Sequence, residues 1–186
     1  MIAAIVIGAI VLIVVLFFWL GYNSLVRNRN RVDNAWSQIE VQLKRRRDLI
    51  PNLVETVKGY AAHERGTLDA VVRARGAAVA AQTPESRAQA EGQLTQALRG
   101  LFALAESYPD LKASANFQAL QASLGEIEDA VQSARRYFNA VVRDLNTAIE
   151  IFPSNLVAGF FQFRERAYFE LDRPEERQVP KVSFGA

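Results

Sequence analysis

The sequence has no cysteine and only one histidine, so several kinds of chemistry are excluded at the outset. Without cysteine the chain can form no disulfide, no thiol nucleophile and no Cys-ligated zinc site, and this composition fits a reducing cytoplasm. The lone His63 lacks the second histidine of a zinc-protease helix, and no glycine-rich phosphate loop or serine-histidine pair is visible. The sequence therefore predicts no cofactor, no metal and no enzymatic activity.

Charge is also missing from the N-terminal run "IAAIVIGAIVLIVVLFFWL", which extends over the 19 residues Ile2–Leu20. As a helix rising about 1.5 Å per residue, the run is about 28 Å long and matches the bilayer's hydrocarbon core of about 30 Å. A secretory signal would have basic residues before the run and small residues after it, whereas "WLGYNSLVRN" is bulky. We expect residues 1–22 to be a retained membrane anchor.

The anchor carries further membrane features. Trp19 and Tyr22 lie where an interfacial aromatic belt is expected, and Ala4 with Gly8 forms a small-xxx-small pair that can seat another helix. The anchor residues that we single out are Ile2, Gly8, Trp19, Leu20 and Tyr22.

The basic residues after the run predict its orientation. Arg27, Arg29 and Arg31 follow the apolar run closely, whereas only the α-amino group precedes it. The positive-inside rule then places the N-terminus outside and the rest of the chain in the cytoplasm, as a single-pass protein of the cytoplasmic membrane. The same three arginines are candidates for contact with anionic lipid headgroups.

After the anchor, apolar residues recur at alternating steps of three and four, which predicts packed helices. The first series continues in phase across Pro51, so we predict one helix from about Ser24 to Gln82, kinked near Pro51. Arg46 occupies one position of this otherwise apolar series. The series consists of Val32, Trp36, Ile39, Leu43, Ile50, Leu53, Val57 and Tyr60.

Two further long helices and a short one are predicted. The second begins at Pro84 with Thr83 as its N-cap and ends near Ser107. The third has an apolar series that runs without a gap from Phe117 to Phe152, and Pro153 ends it. A short fourth helix follows, capped by Ser154 or Asn155.

The fold class is therefore all-α: an N-terminal transmembrane helix followed by an antiparallel bundle of three long helices and a short fourth. The bundle covers residues 23–163. Residues 164–186 form a C-terminal tail, in which "VPKVSF" is expected to be extended.

The basic run Lys44, Arg45, Arg46 and Arg47 points to a protein partner. It lies about 33 Å beyond Tyr22 on a straight helix, far more than the Debye length of about 8 Å, so lipid contact is not expected. Two partners fit: the acidic part of the same bundle, or a neighbouring protomer. We predict that the arginines bridge protomers. Nucleic acid is not expected, because no nucleic-acid motif accompanies the run.

Asn139 and Asn146 are seven residues apart and share a face beside the apolar series of the third helix. We expect them to bond across to the first helix and to fix its register. An alternative is a ligand pocket that they form with Asn52 and Glu55. Glu55 also lies three residues before Lys58, which predicts a surface ion pair.

Two blocks of the sequence resemble the LemA family: "VDNAWSQIEVQLKRRRDLIPNLVETVKGYAAHE" and "ARRYFNAVVRDLNTAIEIFPSNLVA". The resemblance implies an N-out membrane anchor with a cytoplasmic helical bundle, and it implies no reaction. The family pattern resembles a Tyr-Asn pair repeated after seven residues. Here Phe138 and Leu145 replace both tyrosines.

The predicted function is a non-enzymatic, membrane-anchored helical protein that self-associates into a membrane-organising or scaffolding assembly. Its expected partners are membrane lipid and further copies of the chain. The alternative is a monomeric, membrane-tethered adaptor whose bundle binds one cytoplasmic protein.

Overall fold

Helices make up all the regular structure that the chain shows in its described part. The structure, a computed structural model, describes residues 1–169 of the 186. Within that range there are six helices and no strand, which confirms the all-α class. The helices are α1 (Ile2–Lys58), α2 (Arg65–Ala80), α3 (Pro84–Ala105), α4 (Pro109–Ala113), α5 (Ala115–Glu150) and α6 (Ser154–Phe160).

Helix α1 joins the apolar run to the body of the protein without a break. It begins at Ile2, includes Pro51 in its interior and ends at Lys58. The continuous phase across Pro51 therefore predicted one helix correctly, whereas the predicted extension to Gln82 was wrong. The helix ends before Gly59, which is a poor helix former. The N–H of Tyr60 then donates to the carbonyl of Val57 in a turn.

The two apolar series lie largely in the interior. Of the first, Val32, Ile39, Leu43, Ile50, Leu53 and Val57 are buried, whereas Tyr60 is exposed beyond the end of α1. Of the second, Phe117, Leu124, Val131, Phe138, Val141 and Leu145 are buried. Phe152 was wrongly assigned to this series, because α5 ends at Glu150 and Phe152 is exposed.

The N-cap predicted for α3 is present, whereas the one predicted for α6 is not. Thr83 caps α3 as predicted: its hydroxyl accepts from the N–H of Ser86, with Pro84 at the first helical position. The predicted cap of α6 was wrong, since Pro153 precedes the helix and supplies no side-chain bond. The hydroxyl of Ser154 instead donates to the carbonyls of Ala148 and Ile151, at 2.6 and 3.0 Å.

The chain divides into two compact units. Among the described residues, the first comprises Met1–Lys44 and Glu126–Tyr168, and the second Arg45–Gly125 together with Phe169. Helices α1 and α5 contribute residues to both units. The antiparallel arrangement of three long helices stays a prediction. The C-terminal tail was predicted to begin at residue 164; its part from residue 170, with the "VPKVSF" stretch, lies outside the described residues.

The second unit has its own core. Fully buried apolar side chains of this core come from the end of α1 and from α3 and α4: Ile50, Leu53, Val57, Leu94, Leu101 and Leu111. At its edge the phenol of Tyr108 donates to a carboxylate oxygen of Glu64 at 3.3 Å. Partial burial raises the pKa of Tyr108, and the charge of Glu64 raises it further, so the phenol stays protonated to a higher pH than usual.

Candidate functional site

The apolar part of α1 is exposed over most of its length. No residue of its most apolar 18-residue stretch is fully buried, and the helix is long and apolar enough to cross a membrane. All five anchor residues predicted from the sequence belong to α1, and Ile2, Trp19, Leu20 and Tyr22 are exposed. Gly8 has open space around it, so the small-residue face that it forms with Ala4 is free to approach another helix.

Helix α6 packs against the C-terminal end of this apolar stretch. Val157 and Ala158 are buried, and they form a cluster with Leu25 that Phe17 and Phe18 flank. The approach is close at Gly21, where an added Cβ would lie 2.9 Å from a methyl carbon of Val157. Glycine at this position therefore allows the two helices to meet.

Aromatic rings continue the contact beyond α6. The ring centroid of Tyr22 lies 4.7 Å from that of Phe161 and 5.9 Å from that of Phe163. The guanidinium of Arg29 stands over the ring of Phe163, 5.7 Å from its centroid, in cation–π geometry. All three predicted headgroup arginines, Arg27, Arg29 and Arg31, are exposed, and Arg29 also has an aromatic neighbour.

A cavity of about 490 Å³ opens beside these rings. Tyr22 and Phe163 give it an aromatic part, and Arg29 brings a positive charge to it, so its chemistry suits an anionic group with an apolar neighbour. Its lining consists of Tyr22, Arg29, Leu145, Phe161, Gln162, Phe163, Arg164, Glu165 and Arg166.

Asn146 holds the segment that borders this cavity. Its side-chain amide donates to the carbonyl of Arg166 at 3.0 Å and its oxygen accepts from the N–H of Arg166 at 2.9 Å. The predicted bond from Asn146 to the first helix was therefore wrong about the partner, because the chain after α6 returns along α5. The guanidinium of Arg166 in turn reaches Asp33 of α1, at 3.3 Å.

Asn139 was the second residue predicted to fix the register, and it is half-buried on α5 with a partner of its own. In the second unit Asn52, Glu55 and His63 are exposed. The ion pair predicted for Glu55 and Lys58 is present, with 3.5 Å between the charged atoms. Across residues 1–169, no group of three or more histidine or acidic side chains is placed to hold a metal.

The basic run divides into two halves. Lys44 and Arg45 are exposed, whereas Arg46 is only 6% exposed and meets Glu91 of α3, which is 2% exposed, at 3.4 Å. Arg46 also donates to the hydroxyl of Thr95 at 2.9 Å. Arg47 lies 3.7 Å from the other oxygen of Glu91. Of the two partners that the sequence left open, Arg46 and Arg47 thus have the one within their own chain.

Pro51 leaves the carbonyl of Arg47 without the helical donor four residues later. The structure supplies a replacement, because the Nε–H of Arg75 on α2 donates to that carbonyl at 2.9 Å. Arg47 also donates to the carbonyl of Ala78 on the same helix, at 3.1 Å. The end of α1 and helix α2 are therefore joined around the proline. The kink itself stays a prediction.

Sequence reasoning missed Glu91 and α6 as parts of these sites. Glu91 lies three residues before Leu94 and so occupies a position of the apolar series of α3. Arg46 likewise occupies a position of the apolar series of α1. Opposite charges at core positions of two helices are a signal for a buried pair. For α6, the signal is the uncharged stretch from Ile151 to Phe163.

Comparison with known proteins identifies the family of the chain. The sequence model of the LemA family matches residues 35–184. The chain belongs to the LemA family. Protein LemA of Metamycoplasma hominis is 27% identical over 158 residues, covering 84% of this chain and 72% of that protein.

Two magnetosome proteins are also similar to this LemA-family chain. Magnetosome protein MamQ of Magnetospirillum gryphiswaldense is 25% identical over 174 residues, and Magnetosome protein MamQ 2 of Paramagnetospirillum magneticum is 25% identical over 175. Each match covers 80% of this chain and 64% of the relative. The chain therefore spans less than two thirds of the length of the two magnetosome relatives.

Phe138 and Leu145, the positions at which the resemblance implies tyrosines, lie in the interior of the first unit. Phe138 is buried, and its ring centroid lies 5.5 Å from that of Trp36. Leu145 is also buried. A tyrosine hydroxyl at either position would need a hydrogen-bond partner inside the unit, whereas the apolar side chains need none.

Proposed function

We propose that this LemA-family protein is a non-enzymatic membrane anchor that self-associates into a membrane-organising or scaffolding assembly. The observation that carries the proposal is α1 itself. A single 57-residue helix joins a largely exposed apolar stretch to residues that are buried further along the same helix. No loop separates the two, because α1 is continuous from Ile2 to Lys58.

The proposed orientation places the N-terminus outside and the helical body in the cytoplasm. It rests on Arg27, Arg29 and Arg31, which follow the apolar stretch and contact the anionic leaflet. The cavity next to Arg29 supports the lipid contact, because an aromatic wall and a cation together suit a lipid headgroup.

A groove on the first unit supports self-association. It has a volume of about 460 Å³ and lies between α1 and α5. Val41 and Tyr137 border it and are 51% and 49% exposed, so apolar surface remains for a second copy to cover. The rest of its lining is small or uncharged: Gln38, Gln42, Ala130, Ser133 and Ala134.

In this proposal Lys44 and Arg45 are the members of the basic run that reach another protomer. Their side chains are exposed. Arg46 and Arg47 act inside the chain, since Glu91 pairs with both.

The names of the relatives support a non-enzymatic role. Neither "Protein LemA" nor "Magnetosome protein MamQ" is the name of an enzyme. Among the described residues, the lone histidine is exposed and the buried carboxylate of Glu91 is paired with arginines, so neither has the surroundings of an activated catalytic group.

The test is the mass of the full chain in a mild detergent, measured by light scattering after size separation. We expect a protein mass that is a multiple of 20.7 kDa. The double change Val41→Glu with Tyr137→Glu is expected to lower the mass towards that of the monomer, because it buries two charges in the interface.

The matched control is Val72→Glu with Val79→Glu. These two valines are also exposed on a helix, in the second unit, and the change in charge is equal. The adaptor alternative would instead be favoured if the chain stayed monomeric at every concentration and bound one cytoplasmic protein. An equal effect of both double changes would remove the groove from the proposal.

A further inference from the structure

The stretch from Ile151 to Phe163 has an unusual composition for the surface of a cytoplasmic helical protein. It contains no charged residue, and Glu150 and Arg164 flank it on either side. Helix α6 lies in its middle, and Ser154 and Asn155 are the polar residues of that helix. A segment this apolar is expected to be buried, unless something outside the chain covers it.

The structure buries only one side of the segment. Val157 and Ala158 pack on the end of the apolar stretch of α1. The opposite side remains uncovered, with Phe152, Leu156 and Phe160 exposed by 77%, 54% and 71%. Leu156 and Phe160 are four residues apart and share a face of α6.

The contacts with α1 fix the level of α6 relative to the bilayer. The ring centroid of Phe160 lies 5.6 Å from that of Phe18, and Val157 sits against Gly21. Both α1 residues are within about 3 Å, along the helix axis, of Leu20, the last residue of the apolar run. Arg27 lies about 10 Å further on by the same measure.

We infer that α6, with Phe152 and Phe161, is a second membrane contact that inserts into the bilayer interface beside the transmembrane helix. The inference rests on the proposed membrane anchor. The occupant of the apolar face is lipid, because the surface next to it is the membrane-spanning stretch itself. Large aromatic and aliphatic side chains on a short helix favour this depth, and Tyr22 and Arg29 mark its polar edge.

This second contact adds apolar side chains to one side of the bilayer only. The spanning helix alone displaces equal amounts of lipid in both leaflets, whereas α6 adds apolar volume to one leaflet only. Asymmetric insertion of this kind makes binding sensitive to curvature. The inferred site therefore supplies a physical means by which an assembly of these proteins shapes a membrane.

The test uses the absence of cysteine from the sequence. Single cysteines at positions 152 and 156 (Phe152→Cys, Leu156→Cys) are labelled with nitrobenzoxadiazole, and the full chain is placed in phosphatidylcholine–phosphatidylglycerol vesicles. Quenching by lipids with a nitroxide on the acyl chain is then compared with quenching by iodide in the water. We expect acyl-chain quenching several-fold above that of a label at exposed Asp129, and weak quenching by iodide.

A third label, at Val11→Cys inside the spanning stretch, tests the membrane anchor on its own. Its result shows whether a failure concerns α6 or the anchor. If Val11→Cys is quenched by lipid and both α6 labels are quenched by iodide alone, the inference is wrong and the anchor stands. If the α6 labels are shielded from both quenchers, protein covers the face and lipid does not. If Val11→Cys is itself quenched by iodide, the anchor fails.

Discussion

At the scale of single residues, Pro51 is tolerated inside α1 because another helix completes its hydrogen bonding. The proline has no N–H to give to the carbonyl of Arg47, and Arg75 donates to that carbonyl at 2.9 Å instead. The arrangement makes the proline a point of attachment for α2. Substitution of Arg75 is therefore expected to cost more than the loss of a surface arginine.

We predict that Arg75→Ala lowers the free energy of unfolding by about 1–2 kcal/mol, because the carbonyl of Arg47 loses its donor. In a Pro51→Ala background the new N–H restores the helical bond, so the cost of Arg75→Ala should fall below about 0.5 kcal/mol. The measurement is denaturant unfolding of the full chain in detergent, followed by circular dichroism.

The control is Arg73→Ala, since Arg73 is exposed on the same helix. It should cost less than about 0.5 kcal/mol, as surface changes usually do. If Arg75→Ala costs the same with and without Pro51, the two residues are not coupled, and Arg75 stabilises the unit by other contacts.

Arg46 and Glu91 show what residue patterns can predict. The phase of α1 places position 46 among buried residues, and the phase of α3 does the same for position 91. The helical period alone therefore predicts two buried charges. It cannot predict that they meet, because the pairing depends on the arrangement of α1 and α3 in the second unit, which no local pattern encodes.

At the scale of elements, helix α6 depends on a glycine of another helix. The close approach of Gly21 and Val157 leaves no room for a side chain, since an added Cβ would come within 2.9 Å. Valine is β-branched and has few rotamers to which it can move. A larger residue at position 21 must therefore displace α6 or strain α1.

We predict that Gly21→Leu loosens α6 from α1. Overpacking of this kind typically costs about 1–3 kcal/mol. Hydrogen exchange measured by mass spectrometry should then become faster for the amides from Asn155 to Phe163, which include the bond from the N–H of Phe161 to the carbonyl of Val157.

Gly8→Leu is the matched control, because it makes the same change in the same helix where the space is open. Exchange in α6 should stay as in the unchanged chain. Equal exchange in both variants would mean that Gly21 does not determine how α6 is held.

The long elements were predictable to different degrees. The apolar series identified most of α1, α3 and α5, and Thr83 with Pro84 marked the start of α3. The end of α1 at Lys58 was not predicted, because Tyr60 keeps the helical phase although it lies in a turn. The position of α6 could not be predicted from the sequence, because a short apolar segment can pack equally well in many places. Only the contact with Gly21 in the structure identifies the place.

At the scale of the whole molecule, the proposed function rests on two features of the described residues. The apolar stretch of α1 is long enough to cross a membrane, and the groove on the first unit leaves the side chains of Val41 and Tyr137 exposed. A LemA-family chain with both features has what a self-associating membrane protein needs. Self-association is the part of the proposed function that remains to be measured.

The most direct test counts molecules in a bilayer. A Gln89→Cys variant carries one fluorophore at an exposed position of α3, because the chain has no other cysteine. The labelled protein is placed in vesicles of bacterial lipid at low density, and the photobleaching steps of each fluorescent spot are counted. We predict several bleaching steps per spot, at protein densities so low that chance alone would place one molecule in each spot. Single steps at every density, with the protein still bound to the membrane, would contradict the account.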